Sequence, residues 1–219
     1  MTFDFAFALS TLPHILAAVF TTIWVAIVSS IGASLLGFIW EILRRLNRPL
    51  GYLMRFVIDA IRSTPLLVQI YTLYFVLPYY GLTLPALVVG VLSLSIYYSG
   101  YLAEVFKSGI DAIEPGQFDA AKALGLGRID TIFLIIAPQM LRNVAAPMGN
   151  YFISLLKATP YLAVIAVPEM FGSALDVASD TFRYAEPMLV AGLIFLAMAL
   201  IIACAVKALE QRLLVSSKR

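Results

Sequence analysis

The stretch STPLLVQIYTLYFVLPYYGLTLPALVVGVLSLSIYYSGYLA, from Ser63 to Ala103, contains no aspartate, glutamate, lysine or arginine. A helix that crosses a lipid bilayer needs about 20 mainly apolar residues, so this stretch is long enough for two crossings. Its two halves are separated at Leu77–Pro85, where prolines and Gly81 favour a turn. The stretch therefore predicts a pair of transmembrane helices joined by a short connection.

The composition of the whole chain indicates a membrane protein. Hydrophobic residues make up 62% of the 219 residues and charged residues 13%, against roughly 45–50% and about 25% in soluble domains. We therefore expect membrane lipid to surround one transmembrane domain, 1–219. The same values exclude a disordered chain and a nucleic-acid-binding domain. The single cysteine, Cys204, cannot form an internal disulfide.

Other apolar segments bring the predicted number of spans to five. Phe5–Trp40 and Pro187–Val206 carry no charged residue, and Thr131–Thr159 carries only Arg142 and Lys157. The sequence thus predicts an all-α, polytopic membrane protein whose termini lie on opposite sides. The predicted spans are 12–40, 53–77, 85–106, 131–157 and 187–207.

Lysine and arginine are distributed unevenly between the two sides of these spans. They cluster in the first and third connections and in the C-terminal tail, whereas 158–186 carries one arginine among four acidic residues. Because loops rich in lysine and arginine stay in the cytoplasm, we expect an external N-terminus, a cytoplasmic C-terminus and an external loop at 158–186. The cations used in this argument are Arg44, Arg45, Arg48, Arg55, Lys107, Lys122, Arg128, Lys207, Arg212, Lys218 and Arg219.

The sequence lacks the residues that chemistry at membrane depth requires. His14 is the only histidine, and GxSxG, HExxH, Walker A and GxGxxG motifs are all missing. We therefore expect no catalytic residue, no metal site and no cofactor bound by this chain, so that any energy comes from another subunit. Two alternatives remain, an intramembrane enzyme and a secondary carrier. A carrier would be expected to show internal repeats and buried coupling carboxylates.

The connection 109–130, GIDAIEPGQFDAAKALGLGRID, predicts a short helix. Pro115 suits a first helical turn and Gly125 a C-terminal stop, which leaves about ten residues, or ~15 Å of helix. The two alanines leave a low surface that a partner can approach, and the larger apolar side chains can fill pockets. A plain amphipathic linker is the alternative. The residues offered to a partner are Phe118, Asp119, Ala120, Ala121, Leu124 and Gly125.

Polar residues inside the second span are candidates for a transport path, because ionisable groups at membrane depth usually face protein or a water-filled cavity. Arg62 and Gln69 are seven positions apart and are expected to share one face of a helix that Pro65 kinks. Asp59 and Glu104 are the two candidate partners of Arg62. A purely structural role for this arginine stays open.

Spans three and four each carry a polar stripe. Tyr97, Tyr101 and Glu104 recur at helical spacing, and four polar residues of span four fall within about 60° of one another. Such stripes face other helices or a cavity, so hydrogen bonding between helices remains an alternative to substrate contact. The span-four stripe consists of Asn143, Asn150, Ser154 and Lys157. The candidate substrate path consists of Arg62, Thr64, Gln69, Tyr97, Glu104, Asn150, Ser154 and Lys157.

The run DAAKALGLGRIDTIFLIIAP, 119–138, resembles the EAA motif of permease subunits of ABC importers. That motif has an acidic residue and two alanines, a glycine a few positions on, and an apolar stretch ending at proline. Here these are Asp119, Ala120, Ala121, Gly125 and Pro138, with aspartate in place of the usual glutamate. The resemblance implies that the 109–130 helix is a cytoplasmic coupling helix that docks in a groove of an ATPase.

Longer runs resemble the polar amino acid group of these permeases. They are DAIRSTPLLVQIYTLYFVLP (59–78), YYSGYLAEVFKSGIDAIEPGQFDAAKALG (97–125) and PQMLRNVAAPMGNYFISLLKATPYLAVIAVPEM (138–170). The resemblance implies a type I importer fold in the bacterial inner membrane. It also implies an ATPase homodimer using ATP and Mg²⁺, a sister permease or second copy of this chain, and an external or periplasmic substrate-binding protein. The substrate would be a polar amino acid or a similar zwitterion.

Three positions depart from that group. Ser63 stands where glycine is common, and Ala158 and Pro160 stand where the group usually has aspartate and serine. The loss of an acid at 158 removes a candidate partner for a substrate ammonium. This disfavours cationic amino acids and leaves room for compatible solutes of the ectoine type.

Overall fold

The computed structural model describes residues 3–215. Lys218 and Arg219 lie outside the described residues, as do the side chains of Arg128 and Arg212. The expected orientation across the membrane therefore stays a prediction. The helices are α1 (Phe5–Ala17), α2 (Val19–Leu46), α3 (Arg48–Ser63), α4 (Leu66–Tyr71), α5 (Ala86–Asp111), α6 (Pro115–Ala123), α7 (Arg128–Asp130), α8 (Ala137–Ala158), α9 (Met170–Thr181) and α10 (Ala185–Val215).

Turns of π- and 3₁₀-helix lengthen two of these elements. A π-helical segment, Thr72–Val76, and a 3₁₀ segment, Leu77–Tyr80, continue α4. A π-helical segment, Thr131–Ile136, precedes α8, and a 3₁₀ segment, Thr159–Ile165, follows it. Within residues 3–215, four helical stretches are long and apolar enough to cross a membrane. The broken pair α3–α4 supplies a fifth crossing if its two parts are counted together, so the predicted all-α polytopic fold is confirmed.

The first predicted span, 12–40, is wrong at its start. The chain forms two helices that separate at Ala18, and the apolar crossing helix is Val19–Leu46. Asp4 caps α1 by accepting hydrogen bonds from the backbone N–H groups of Ala6 and Phe7. The short helix is held by tertiary packing, because its buried residues face α9 and α10. Neither a charge nor a proline at Ala18 signals this break.

The second predicted span, 53–77, is not one kinked helix. The axes of α3 and the helical stretch Leu66–Tyr80 differ by 102°. Thr64 is extended, with φ −98° and ψ 129°, because proline disfavours helical geometry in the residue before it. Arg62 and Gln69 therefore do not share a helix face. The Gln69 amide instead donates to the carbonyl oxygens of Ile61 (2.8 Å) and Thr64 (3.3 Å), which the break leaves without helical partners.

The centre of the bundle is α5, which packs against α2, α3 and α8. Gly37 of α2 lies against the α5 backbone: a β-carbon there would be 2.9 Å from the Ser99 carbonyl oxygen and 3.0 Å from the Ala103 nitrogen. Small residues allow such close approach between membrane helices. Trp40 Nε1 donates to Ser99 Oγ at 3.0 Å on the same contact.

The 158–186 segment contains a helix, α9, at Met170–Thr181. Glu169 precedes it and accepts hydrogen bonds from the backbone N–H groups of Phe171 (2.9 Å) and Gly172 (2.5 Å). The Glu169 side chain is fully buried, and this burial raises its pKa to about 7 despite the two hydrogen bonds, which lower it. Thr22 Oγ1 accepts from the Met170 backbone at 2.9 Å, which ties the start of α9 to α2.

Candidate functional site

The short helix predicted in the 109–130 loop is α6. Proline occupies its first turn, and the chain leaves it through a left-handed residue, Gly125, with φ +72°. The N–H of Gly125 donates to the Lys122 carbonyl and the N–H of Leu126 to the Ala121 carbonyl, each at 3.0 Å. This pair of bonds is the Schellman motif, which favours glycine at the left-handed position.

One side of α6 packs against the rest of the protein, and the opposite side is exposed. Ala121 is 1% exposed, whereas Leu124 is 76% and Phe118 37% exposed. Of the two alanines expected at a docking surface, only Ala120 lies on the open side, and Ala121 positions the helix. We define the exposed α6 surface as Phe118, Asp119, Ala120, Leu124 and Gly125.

Hydrogen bonds tie this loop to α8. The Asn143 amide donates to the Gly109 carbonyl oxygen at 3.1 Å, and the Gln139 amide donates to Gln117 Oε1 at 3.3 Å. The first bond joins the end of α5 to α8, and the second joins α6 to α8. The end of α5 and the first turn of α6 are thus both hydrogen-bonded to α8.

A buried ion-pair network joins α2 to the end of α5. Glu41 is fully buried and pairs with Arg44 and Arg45 of its own helix. Arg44 Nη1 also lies 2.6 Å from Glu104 Oε1, and Arg45 Nη2 lies 2.6 Å from Asp111 Oδ1. Sequence reasoning missed Glu41, although its spacing of three and four residues from two arginines signalled it.

Several candidate path residues meet at one cavity. This space of about 600 Å³, here called the tyrosine cavity, lies between the α3–α4 break, α5 and the end of α8. Tyr98 and Ser154 are hydrogen-bonded across it, with 3.2 Å between their hydroxyl oxygens. Its lining residues are Pro65, Leu66, Leu67, Tyr97, Tyr98, Ser154, Lys157, Ala158 and Tyr161.

A row of tyrosines leads from this cavity towards α3. The hydroxyl oxygens of Tyr97 and Tyr101 are 3.2 Å apart, and the Tyr101 and Tyr151 rings are 5.6 Å apart. The guanidinium carbon of Arg62 lies 5.4 Å from the Tyr101 ring centre, within the range of a cation–π contact. Sequence reasoning missed Tyr98, Tyr151 and Tyr161, because helical spacing alone does not show which elements converge.

A second space of about 400 Å³ continues beyond Tyr101 and Tyr151 towards the 109–130 loop. Glu104 lines it, but this carboxylate is already paired with Arg44. Of the two candidate partners of Arg62, Asp59 is the observed one, with 3.9 Å between the charged atoms. The remaining lining residues are Val105, Ser108, Gly109, Ala112, Asn143 and Pro147.

Neither of the two cavities is lined by Thr64, Gln69 or Asn150. The Thr64 hydroxyl donates to the Ala60 carbonyl oxygen at 2.8 Å, and Gln69 bridges the helix break. Asn150 is exposed on α8. The structure thus brings Tyr97, Ser154 and Lys157 together and leaves these other three side chains apart.

A helical bundle with an exposed loop helix and polar spaces between its spans is the architecture of a membrane transport subunit. The family model for the binding-protein-dependent transport system inner membrane component matches residues 33–215. The chain belongs to this family. Membership favours the importer over the secondary carrier and the intramembrane enzyme, the two alternatives that the sequence left open.

Relatives cover nearly the whole chain. A probable amino-acid ABC transporter permease protein of Sinorhizobium fredii is 36% identical over 211 residues, 96% of this chain and 91% of the relative. The arginine transport system permease protein of Bacillus subtilis is 30% identical over 215 residues, 97% of this chain and 98% of the relative. These identities place the EAA-like run within a family of ABC transporter permeases.

Solved structures share the fold. A chain from the crystal structure of an amino acid ABC transporter with histidines superposes with a TM-score of 0.89 at 30% identity, covering 97% of this chain and all of that chain. A chain of the MetNI methionine ABC transporter, in inward-facing conformations, gives a TM-score of 0.76 at 16% identity. It covers 91% of this chain and 95% of that one, and it supports the fold alone.

Proposed function

We propose that this chain is the permease subunit of an ATP-driven importer that carries a polar amino acid or a similar zwitterion across the bacterial inner membrane. An ATPase homodimer using ATP and Mg²⁺ docks on the exposed α6 surface. A sister permease or a second copy of the chain completes the path, and an external or periplasmic binding protein delivers the substrate. The amino acid relatives support this substrate class.

The observation that carries the proposal is the position of α6. The helix is open on one side, rests on Ala121 on the other and is hydrogen-bonded to α8. Closure of an ATPase dimer beneath it would push the start of α8 and, through Gly109, the end of α5. Both helices line the tyrosine cavity and the space beyond it. ATP binding would thereby shift the population between outward-open and inward-open packings.

A pull-down of the co-expressed ATPase tests the docking site. Ala120→Arg places a long cation on the exposed α6 surface, and we expect at least a ten-fold loss of the ATPase retained with the permease. Ala208→Arg, at an exposed position of α10, is the matched control and should retain it. Equal retention by both variants would contradict coupling through α6.

The tyrosine cavity favours substrates without a net positive charge. Lys157 contributes a cation, and the nine described residues that line the cavity include no carboxylate. A substrate carboxylate would be attracted to Lys157 and a substrate ammonium to the tyrosine rings. This supports a second candidate substrate class, compatible solutes such as ectoine, which are compact zwitterions.

Uptake into proteoliposomes that contain the whole transporter and its binding protein separates these substrates. We expect labelled glutamine or ectoine, rather than arginine, to accumulate when ATP is present. Ala158→Asp restores an acid to the cavity and should raise arginine uptake relative to glutamine. Arginine uptake that exceeds glutamine uptake in the wild type would contradict the assigned substrate class and leave the ATPase coupling untouched.

A further inference from the structure

Helix α3 has three distinct faces along its 16 residues. Met54 and Ile58 are buried against the protein. At 100° per residue, an apolar face that is exposed in the chain lies about 170° away. A charged face lies between these two. The exposed apolar face comprises Tyr52 (69% exposed), Leu53 (53%) and Phe56 (72%). The charged face comprises Arg48, Arg55, Asp59 and Arg62.

Contacts at both of its ends locate α3 relative to α2 and α5. Its axis turns by 102° from the helical stretch that follows. The last turn packs at Gly100, where a β-carbon would lie 3.0 Å from Arg62 Cγ. The first turn packs on Arg44, since a β-carbon at Gly51 would lie 2.7 Å from the Arg44 carbonyl oxygen. Gly100 is four residues before Glu104, the ion-pair partner of Arg44, so both contacts lie near the level of this pair.

This level corresponds to the edge of the hydrocarbon layer. From Ala86 to Glu104, α5 rises about 27 Å at 1.5 Å per residue, close to the hydrocarbon thickness of about 30 Å. The charge-free part of α2 ends at the same level, with Glu41. An in-plane helix here has a protein side, a hydrocarbon side and a headgroup side, and the three faces of α3 correspond to these surroundings.

We propose that α3 is an interfacial helix that binds anionic phospholipid headgroups on the side of the membrane that carries the 109–130 loop. Tyr52, Leu53 and Phe56 enter the upper acyl region, while Arg48 and Arg55 contact headgroup phosphates through their planar guanidinium groups. The Arg55 guanidinium carbon lies 5.9 Å from the Tyr52 ring centre, which holds it beside the apolar face. Asp59 neutralises Arg62 in part, so Arg48 and Arg55 provide the charge complementarity with the lipid.

The first test measures the depth of α3 in phosphatidylglycerol-containing liposomes. With Cys204→Ser as background, nitroxide labels are attached to Phe56→Cys and Asp59→Cys. We expect collisions with oxygen to dominate at 56 and collisions with a water-soluble nickel complex to dominate at 59. Nickel dominance at both sites would mean that α3 lies in water. Exclusion of both reagents would mean that a protein partner covers it. Either result overturns the proposal.

The second test measures lipid affinity on the purified full-length chain. Arg48→Gln with Arg55→Gln should weaken binding of phosphatidylglycerol by about thirty-fold, since each arginine near an anionic surface contributes about a factor of five. Lys122→Gln with Arg142→Gln removes the same charge from exposed positions outside α3 and should leave affinity within about two-fold. Equal loss in both pairs, or loss in neither, overturns the site. Competition by inorganic phosphate would instead assign it to a free anion and overturn the membrane role.

Discussion

Arg44 of α2 and Glu104 of α5 form an ion pair with 2.6 Å between Nη1 and Oε1, and both groups also belong to the network around Glu41. The pair lies between the two helices close to the end of α5, from which the chain enters the 109–130 loop. It fixes α2 to α5 at the level where movement of α6 would arrive. These two helices are therefore expected to move together during transport.

The buried member of this network should dominate its contribution to stability. Glu41→Ala leaves Arg44 and Arg45 without their buried partner, and removal of one member of a buried pair costs about 3–5 kcal/mol. Asp111→Ala removes a partner that is half exposed, so its cost should stay below about 1 kcal/mol. Unfolding of the detergent-solubilised chain, followed by circular dichroism, measures both. Similar losses for the two variants would contradict the ranking.

The close contact of α2 with α5 should not tolerate a methyl group. Gly37→Ala places a β-carbon about 3 Å from backbone atoms of Ser99 and Ala103, so one helix must move, at a cost of about 1–3 kcal/mol. Gly192→Ala is the control, because no atom lies within 4 Å of the added carbon. The thermal unfolding midpoint should fall for the first variant only, and an unchanged midpoint would mean that the helices separate freely.

The left-handed residue at the end of α6 should require glycine. Gly125→Ala meets no neighbouring atom but keeps φ at +72°, which costs about 1–2 kcal/mol for a residue with a β-carbon. Gly116→Ala, also without neighbours within 4 Å, lies inside α6 and should strengthen the helix. Hydrogen exchange of the α6 amides is expected to quicken in the first variant and slow in the second. The reverse order would contradict the Schellman ending.

Glu169 should make stability depend on pH. Its pKa rises from 4.5 to about 7 on folding because of burial, so the folded chain binds this proton more tightly than the unfolded chain. The contribution of Glu169 to the free energy of unfolding is therefore greatest below about pH 4.5. This contribution falls by about 3 kcal/mol as the pH rises to about 7.

The matched test uses two substitutions that each replace a carboxylate by an amide, one just before α9 and one within it. Glu169→Gln keeps one of the two oxygens that accept the Phe171 and Gly172 N–H bonds, and it should abolish this pH dependence of the unfolding midpoint. Asp176→Asn, at an exposed position, should retain it. A pH profile that survives Glu169→Gln would assign the titration to another group.

The sequence predicted most of the fold because a bilayer imposes a simple rule. Long charge-free runs must become helices in lipid, since no water is present to satisfy the backbone. This rule located the starts of α5 and α10 to within two residues, although α10 extends eight residues beyond its predicted span. The local residues Pro115 and Gly125 located α6. The rule did not predict the helix break at Ala18 or the size of the bend at Thr64 and Pro65. An apolar run has the same composition whether its helix crosses the membrane, bends or lies along it.

The features of the candidate site likewise fall into those that the sequence predicts and those that only the tertiary structure shows. The sequence by itself determined the helical membrane fold, the loop helix with its glycine ending and the polar stripe on α8, because these depend on hydropathy and on residues within a few positions. Only the tertiary structure decided that Glu104 is paired with Arg44, that Tyr98 and Tyr161 join Lys157, and that the axis of α3 differs by 102° from that of the next helical stretch. Those relationships join residues distant in the chain, and they arise from helix packing, which the sequence spacing does not encode.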